Sequence, residues 1–406
     1  METRMPISST SDDPVVIVGA ARTALGGFQG DFASLTAPQL GASAIRAAFD
    51  RAGLQPEGVD EILMGCVLPA GLGQAPARQA ALSAGLPLSA GCTTINKVCG
   101  SGMKATMLAH DLLLSGSQQV IVAGGMESMS NAPYLLPKGR SGQRLGHGQV
   151  LDHMFFDGLE DHYSLASRGR LMGTFAEDCA RHFGFTREAQ DAFASTSTLR
   201  AQQAQRDGLL RWEITPVAVP GRSGEKLVAE DEAPAKAELA RIPSLKPAFG
   251  KDGTVTAASS ASIADGAAAV VLMRRSTAHE RGLTPLAVIR GHATQSQEPA
   301  WFTTAPVGAI QKLLAKMGWQ AADVDLWEIN EAFAVVVMAA MRELSLPHER
   351  VNVHGGACAL GHPIGATGAR LVVTLLSALR QRGETRGVAS LCIGGGEATA
   401  LAIEIV

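Results

Sequence analysis

Short apolar runs alternate with alanine-rich segments of helical periodicity along the first third of the chain. Runs typical of strands lie at residues 15–19, 61–67 and 120–123, and helix-like segments lie at residues 38–53 and 102–116. This alternation predicts parallel strands that are connected by crossover helices, and therefore an α/β fold.

The alternation is interrupted in the middle of the chain and then resumes. Residues 130–249 are rich in glycine, proline, histidine and charged residues, and they predict one clear helix that begins near Thr186 and runs to Gly208. A strand at residues 326–329 and a helix over residues 371–382 mark the resumed pattern. A long insertion of this kind on an α/β scaffold usually carries binding surface.

The two ends of the chain resemble each other. Residues 93–127 read as a strand, a glycine-rich turn, a helix and an apolar strand that closes in VIVAGGME, and residues 351–397 repeat this order and close in SLCIGGGE. The separation of the two copies is far longer than the period of a solenoid repeat. It indicates an internal duplication, in which two similar α/β halves bring equivalent loops to one shared face.

Length, charge and cysteine spacing exclude several classes of protein. The 406 residues predict two or three domains, and a formal net charge of -3 argues against a general nucleic-acid binder. No apolar run approaches the roughly 20 residues that span a bilayer, and the first twelve residues lack the apolar block of a secretory signal. The six cysteines form no CxxC pair, so we expect a cytoplasmic enzyme without a zinc site or a disulfide framework.

Cys99 is the first candidate for chemistry, within TTINKVCGSGMK at residues 93–104. It precedes a predicted helix, whose free N–H groups and dipole would lower the pKa of the thiol and enrich the nucleophilic thiolate. Gly100 and Gly102 would let a substrate carbonyl approach the backbone closely. A small buried hydrophobic residue is the alternative interpretation, and the glycine-rich context makes it the weaker of the two.

His362 stands apart among the ten histidines because of its loop. It lies in GHPIGATGAR at residues 361–370, where a proline and glycines describe a tight loop that enters a helix and would hold an imidazole at the edge of a domain. His354, in VNVHGGA, is a weaker candidate for the same work.

Cys392 and Asn330 are two further candidates. Cys392 ends an apolar strand just before glycines 394–396, whose N–H groups can form an oxyanion hole, although a core cysteine in a buried strand is as good an interpretation from local sequence. Asn330 lies at a strand-to-helix junction, where it serves either as a helix N-cap or as a residue that orients a water.

Together these segments resemble the thiolase family over nearly the whole chain. The resemblance rests on five motifs in the same order: INKVCGSGMKA at 95–105, GGMESMS at 124–130, NEAFA at 330–334, GGACALGHPIGATGAR at 355–370, and CIGGG at 392–396.

The resemblance implies a duplicated, five-layered α/β/α/β/α fold with an inserted loop domain and an acyl-CoA:acetyl-CoA C-acyltransferase activity. By similarity, Cys99 takes the acyl group while His362 accepts its proton, and Cys392 then removes an α-proton from acetyl-CoA. His362 and a water bound to Asn330 would stabilise the enolate, and the N–H groups of Cys99 and Gly394 would stabilise the tetrahedral intermediate. Coenzyme A thioesters are substrates in this scheme, and no metal or other cofactor is implied.

The resemblance also implies domain limits and an assembly. The first half would comprise residues 1–128 and 263–284, the loop domain that covers the coenzyme residues 129–262, and the second half residues 285–406. Family members form dimers, and often tetramers through a loop like residues 138–147; a solvated loop is an equal interpretation of that segment. We expect a homodimer or homotetramer that binds acyl-CoA and neither nucleic acid nor membrane.

Motif position assigns the substrate contacts, and the chain departs from many relatives near them. Ala261, in TAASSAS at 256–262, replaces a serine that commonly touches pantetheine, and Lys236 or Arg241 would substitute for residues that often hold the coenzyme A nucleotide. The residues assigned to acyl and coenzyme A binding are Leu159, Met172, Ala257, Ser260, Phe302, Ala332 and Phe333.

Several functions stay open at this point. The first is an acetyl-CoA C-acetyltransferase, and a medium- or long-chain 3-ketoacyl-CoA thiolase of fatty-acid degradation is the alternative within the family. A ketoacyl-synthase-type condensing enzyme that uses a carrier protein would share the fold, but the second cysteine argues against it. A noncatalytic lipid carrier or scaffold would be expected to have lost the reactive residues, which are all present.

Overall fold

The structure is a computed structural model that describes residues 13–221 and 224–406; residues 1–12, which the sequence assigns to the first half, lie outside the described residues. The strands are β1 (Val15–Thr23), β2 (Gly26–Gly27), β3 (Glu61–Gly65), β4 (Gly91–Ile95), β5 (Val120–Ser128), β6 (Tyr134–Leu135), β7 (Leu151–Asp152), β8 (Ile214–Thr215), β9 (Val217–Gly221), β10 (Gly224–Val228), β11 (Ala264–Arg274), β12 (Ala287–Ser296), β13 (Leu326–Ile329), β14 (Arg386–Ile393) and β15 (Glu397–Ile405). The α-helices are α1 (Ala37–Ala52), α2 (Pro76–Ser83), α3 (Ser101–Ser115), α4 (Met172–Phe183), α5 (Arg187–Arg206), α6 (Glu232–Lys236), α7 (Arg275–Glu280), α8 (Ala305–Met317), α9 (Ala334–Leu344), α10 (Ala357–Leu360) and α11 (Thr367–Arg382). Within the described ranges, no helix is long and apolar enough to cross a membrane.

The strands of the first half follow one another in the order β1, β11, β5, β3 and β4. β3 is parallel to both β4 and β5, which confirms the predicted crossover connections, while β11 is antiparallel to β1 and β5. The insertion lies between β5 and β11 along the chain, and its short strand β8 pairs in parallel with the end of β1. The residue limits expected for the two halves and the loop domain stay predictions.

The second half repeats this arrangement with β12, β15, β14 and β13. β15 is antiparallel to β12 and β14, and β14 is parallel to β13. A single parallel bridge between Trp327 of β13 and Val351 stands where β4 stands in the first half. The repeated strand order confirms the predicted duplication, and a two-residue pairing of β1 with β12 joins the two sheets.

Helices α3 and α11 pack against each other between the two sheets. Their buried side chains, such as Met103 and Leu371, belong to one apolar cluster that contacts both sheets. Glycine is required at position 102, since a Cβ there would lie 2.9 Å from the backbone nitrogen of Ala369 in α11. With α1 and α2 on the outer face of the first sheet and α8 and α9 on that of the second, the fold has the predicted five layers.

Local signals in the sequence explain where several helices begin and end. The Thr186 hydroxyl accepts a hydrogen bond from the Ala189 N–H at 3.2 Å, which confirms the predicted start of α5. Gly53 and Gly116 end α1 and α3 in the left-handed conformation that glycine favours. The sequence pattern does not predict α4, because glycine, glutamate and cysteine share its buried face with Phe175.

A buried group of charges anchors the insertion to the first half. Arg22 of β1 is fully buried and pairs with Glu213 at 2.6 Å and with Asp231 at 2.7 Å. Asp231 also accepts the N–H of Leu25 at 2.8 Å. Breaking such a pair leaves an uncompensated buried charge, so this group fixes the insertion relative to β1.

Candidate active site

One small cavity collects residues from both halves and from the insertion. Its volume is about 80 Å³. Two thiols, one imidazole and a glycine share its wall with apolar side chains; the residues that line it are Cys99, Gly158, Leu159, Met172, Ala261, Phe302, Ala332, Phe333, His362, Ile364, Cys392 and Gly394. The structure thus brings together the three reactive residues that the sequence singled out.

Cys99 lies between β4 and α3, in a loop with a strained backbone. Val98 adopts φ 46°, a left-handed conformation that is rare for a β-branched residue and costs about 1–3 kcal/mol. Two local hydrogen bonds hold it: the Val98 N–H donates to Asn96 Oδ1 at 2.9 Å, and the Ser101 hydroxyl donates to the Val98 carbonyl at 2.6 Å. Strain that is maintained in this way fixes the direction of the neighbouring thiol.

The sequence predicts a lowered pKa for the Cys99 thiol, and this prediction is wrong. Burial raises the pKa to about 11, because the thiolate loses its hydration. Hydrogen bonds from the backbone N–H groups of Gly394 and of Cys99 itself oppose this effect without reversing it. The resting nucleophile is therefore a thiol, and a base must take its proton.

His362 lies in the loop between α10 and α11 and is held in one tautomer. Its Nδ1 lies 2.7 Å from the Thr367 hydroxyl oxygen, and that hydroxyl donates its proton to the Pro363 carbonyl at 3.0 Å. Because a hydroxyl has a single proton to donate, Thr367 must accept a hydrogen bond from Nδ1–H of the imidazole. Nε2 then carries the free lone pair, and among the described residues it has no hydrogen-bond partner.

The imidazole of His362 is neutral at rest. Burial, with a contribution from the positive charge of Arg370, lowers the pKa of the imidazole to about 3. The ring is therefore neutral at pH 7 and its lone pair is available. Thr367 was not foreseen in this role, because a partner five positions away, at the start of a helix, has no distinct sequence signature.

Cys392 lies at the end of β14, just before a tight turn. It is buried, and burial together with the nearby Cys99 raises the pKa of its thiol well above the ordinary value. The turn requires glycine, since Gly395 and Gly396 adopt φ 94° and 84°. It directs the Gly394 N–H towards the Cys99 sulfur, so this N–H and that of Cys99 form a pair of donors at one point.

Asn330 follows β13 and is fully buried. Neither its Oδ1 nor its Nδ2 has a hydrogen-bond partner in the part of the chain that the structure describes. Helix α9 begins only at Ala334, with Phe333 at its N-cap, so the N-cap interpretation of Asn330 is wrong. A buried amide with both ends free is suited to hold a water or a substrate group.

His354, the weaker histidine candidate, is buried outside the cavity. Burial lowers the pKa of its imidazole to about 4. The positive charges of Arg382, which is exposed at the end of α11, and of the buried Arg22 contribute to this decrease.

The predicted substrate contacts fall into two groups. Five of them, Leu159, Met172, Phe302, Ala332 and Phe333, line the cavity, as does Ala261. Ala257 instead lines a second, more open cavity of about 340 Å³, together with Lys236 and Arg241. Ser260 is buried, and its hydroxyl donates to the Thr256 carbonyl at 2.7 Å, so the structure does not bring it into either cavity.

Glu127, near the end of β5, holds three backbone N–H groups of loops next to the cavity. Its buried carboxylate accepts the backbone N–H groups of Val67 at 3.0 Å, Leu68 at 3.1 Å and Gly365 at 2.8 Å. Burial raises the pKa of this carboxyl to about 7 despite these donors. The residue ties the loop of His362 to the first half; the only sequence signal was an acidic residue that closes an apolar strand.

The reactive loops of the two halves are joined directly. Lys97, two residues before Cys99, forms an ion pair with Glu397, which begins β15 just after the glycine turn. Glu397 also accepts a hydrogen bond from the Ser296 hydroxyl at 2.9 Å. This ion pair therefore joins the loop of Cys99 directly to the turn that carries Gly394.

This arrangement has the parts needed for transfer of an acyl group to sulfur. A thiol faces two aligned N–H donors, a neutral imidazole offers a lone pair, and a second buried thiol lines the same cavity. Such donors stabilise the negative oxygen of a tetrahedral intermediate.

Two family descriptions match nearly the whole chain. "Thiolase, N-terminal domain" matches residues 15–276, and "Thiolase, C-terminal domain" matches residues 283–405.

Curated relatives and solved structures agree with this match. The chain is 49% identical to an acetyl-CoA acetyltransferase of Cupriavidus necator, over 96% of this chain and 99% of that one, and 50% identical to acetyl-CoA acetyltransferase 1 of Arabidopsis thaliana, over 99% and 97%. The structure of an acetyl-CoA acetyltransferase from Syntrophomonas wolfei superposes with a TM-score of 0.93 at 40% identity, covering 97% of this chain and all of the other. That of Acat5 thiolase from Ascaris suum, in complex with coenzyme A, does so with a TM-score of 0.91 at 41% identity and the same coverage.

Proposed function

The chain belongs to the thiolase family, and we propose that it is an acetyl-CoA C-acetyltransferase that works through an acyl group on Cys99. The observation that carries this proposal is the shared cavity, in which a thiol with two N–H donors at its sulfur lies with a neutral imidazole and a second thiol. The curated relatives named as acetyl-CoA acetyltransferases support the same activity.

The first half-reaction moves an acetyl group from coenzyme A to Cys99. Nε2 of His362 takes the thiol proton as the sulfur attacks the thioester carbonyl, and the N–H groups of Cys99 and Gly394 stabilise the oxyanion. The carbon–sulfur bond to coenzyme A then breaks, and the departing thiolate takes the proton from His362. The raised pKa of the buried Cys99 thiol makes the assistance of this base necessary.

The second half-reaction forms a carbon–carbon bond. Cys392 gives its proton to His362 and then, as a thiolate, removes an α-proton from a second acetyl-CoA. The imidazolium of His362 and a water on Asn330 stabilise the enolate oxygen. The enolate carbon attacks the acyl carbon, the bond to Cys99 breaks, and the Cys99 thiolate recovers a proton from His362; thiolysis is the reverse sequence.

The size of the cavity supports a short acyl group. An engineered apolar cavity of about 150 Å³ holds a benzene molecule, and this one measures about 80 Å³. Its apolar lining includes Phe302, Phe333, Leu159 and Met172. An acetyl group fits such a space, and a long acyl chain does not, which disfavours the medium- and long-chain alternative.

The second cavity is our candidate for the nucleotide end of coenzyme A. Lys236 and Arg241 line it, in ion pairs with Glu232 and Glu238, and Ala257 and Ala258 add uncharged wall. We expect Arg241→Ala to raise KM for acetyl-CoA several-fold while kcat changes little, because the contact is remote from the reacting atoms. A lower kcat with an unchanged KM would refute this assignment.

The remaining proposals concern the setting of the enzyme. We propose a cytoplasmic homodimer or homotetramer that serves fatty-acid metabolism. β4 supports assembly, because it ends the sheet order of the first half and several of its residues are half-buried or exposed. Light scattering on the purified protein distinguishes the assemblies from a monomer.

Rates on a series of substrates test the proposed activity. We expect acetoacetyl-CoA to be cleaved by coenzyme A with a higher kcat/KM than any 3-ketoacyl-CoA of eight or more carbons. A preference for the longer substrates would favour the degradative alternative. Acylation of the enzyme by an acyl-carrier protein but not by acetyl-CoA would favour a ketoacyl-synthase-type enzyme.

A further inference from the structure

Three metal-ligating side chains meet outside the active site, where the first half contacts the second. His110 and Asp111 lie on the central helix α3, and His292 lies on β12. The Asp111 Oδ1 is 3.2 Å from the His110 Nδ1 and 2.9 Å from the His292 Nε2. Cysteine spacing gave no sign of this group, since the aspartate and His292 are 181 positions apart.

The spacing of the three ligand atoms is close to that of a mononuclear metal centre. Zinc–nitrogen and zinc–oxygen bonds are about 2.0–2.2 Å long, which places neighbouring ligands roughly 3.0–3.5 Å apart around one ion. Two of the separations here are 2.9 and 3.2 Å, and all three atoms lie within 4.8 Å of one another.

The surroundings also resemble a built site more than a chance surface cluster. His110 is buried, His292 is half-buried, and Asp111 is exposed, which leaves an approach from solvent on the carboxylate side. The two imidazole rings pack edge to face with centroids 5.0 Å apart, and this contact limits their rotation.

The chemistry of the ligands selects the class of ion. Two imidazoles and one carboxylate suit Zn²⁺, Co²⁺, Ni²⁺ or Cu²⁺, whereas Mg²⁺ and Ca²⁺ prefer oxygen alone. Lys316 and Lys104 lie near His292, and their charge disfavours ions that are held by electrostatic attraction only. Transition ions form stronger bonds to imidazole and tolerate such neighbours better.

We propose that His110, Asp111 and His292 form a binding site for one divalent transition-metal ion, such as Zn²⁺, that links the two halves of the subunit. The three protein ligands leave the ion at least one further position, which water fills. Because the ligands come from both halves, binding stabilises the folded chain and not the unfolded one.

Cobalt binding tests the proposal on the whole protein after treatment with chelator and then with iodoacetamide, which blocks accessible thiols as competing ligands. We expect one Co²⁺ per chain in equilibrium dialysis, visible absorption typical of nitrogen and oxygen ligation, and a higher melting temperature with Zn²⁺. His292→Ala and Asp111→Asn should each weaken binding by about tenfold or more. His279→Ala, at an exposed histidine outside the cluster, is the matched control and should bind as the parent does.

Two results would overturn the proposal. One is the absence of stoichiometric Co²⁺ and Zn²⁺ binding by the alkylated parent protein, which would leave the group as two imidazoles that share one carboxylate acceptor. The other is equal binding by the parent and by His292→Ala. Both measurements record metal binding and not acyl transfer, so neither result depends on the proposed acetyltransferase activity.

Discussion

At the scale of single residues, the orientation of one imidazole rests on one hydroxyl. Thr367 accepts the Nδ1–H of His362 and donates to Pro363, and both hydrogen bonds are buried. Nothing else in the described structure fixes which nitrogen of His362 carries the proton. Catalysis by the imidazole should therefore depend on a residue that never touches the substrate.

We expect Thr367→Val to lower kcat by up to about 100-fold, which is the lower range of what general acid–base catalysis contributes. Valine keeps the shape of threonine but cannot accept a hydrogen bond from the Nδ1–H of His362. The measurement is steady-state thiolysis of acetoacetyl-CoA, with circular dichroism to verify the fold. Thr367→Ser retains the hydroxyl and should recover most of the rate; equal losses in both variants would contradict this role.

The protonation state of Cys99 gives a second prediction at this scale. Because the pKa of the thiol is raised to about 11, the thiolate fraction should increase about tenfold per pH unit from pH 6 to pH 9. The rate at which iodoacetamide alkylates Cys99 follows this fraction. Mass spectrometry of the Cys99 peptide after short exposure to iodoacetamide measures that rate. A plateau near pH 7 would instead indicate a resting thiolate–imidazolium pair.

At the scale of elements, the turn between β14 and β15 aligns the donor pair. Gly396 adopts φ 84°, and a Cβ on it would lie 2.3 Å from the Gln297 carbonyl oxygen. Gly53 at the end of α1 has a similar φ of 69°, but a Cβ there would meet nothing within 4 Å. Substitution of Gly53 therefore measures the energetic cost of the left-handed backbone alone. Substitution of Gly396 measures that cost together with the cost of the steric clash.

We predict that Gly53→Ala lowers the free energy of unfolding by about 1 kcal/mol and leaves kcat unchanged, since only the left-handed backbone is penalised. Gly396→Ala should cost more, about 2–4 kcal/mol, and should lower kcat because the turn moves the Gly394 N–H. Urea denaturation and thiolysis rates check both. Similar results for the two variants would show that the turn has room to adapt.

Elements that depend on local patterns were predictable, and those that depend on distant contacts were not. The start of α5 at Thr186 and the end of α1 at Gly53 follow from capping residues that can be read in the sequence. The start of α9 at Ala334, and with it the freedom of Asn330, depends on the contact of Ala334 N–H with the Ser259 carbonyl in the insertion. The rise in the Cys99 pKa likewise reflects burial beside a cavity that residues from both halves and the insertion line.

At the scale of the whole molecule, duplication explains why the reactive groups converge. Cys99 precedes α3 and His362 precedes α11, so they occupy equivalent places in the two halves. The two helices pack side by side between the sheets, which brings their preceding loops to one edge. Resemblance to a known family identified these residues from the sequence; their contacts with Thr367 and Glu127 required the structure.

Buried histidines also give the whole molecule a pH dependence. The pKa of His354 is lowered to about 4 in the folded state, against 6.5 in the unfolded chain, so the unfolded state binds the extra proton between these values. Its contribution to stability is complete above pH 6.5 and is lost as the pH falls towards 4. Between pH 7 and pH 5 the parent should lose about 2 kcal/mol more than His354→Asn in urea denaturation. Parallel pH profiles for the two proteins would contradict this.

The central claim is that Cys99 carries the acyl group while Cys392 acts only on the α-carbon. Intact-protein mass spectrometry after incubation with acetyl-CoA, followed by an assay for acetoacetyl-CoA, tests it in the parent, Cys99→Ala and Cys392→Ala. We predict one added acetyl group on the parent and on Cys392→Ala, none on Cys99→Ala, and condensation by the parent alone. Acetylation of Cys99→Ala at Cys392, or condensation by either variant at the rate of the parent, would contradict the account.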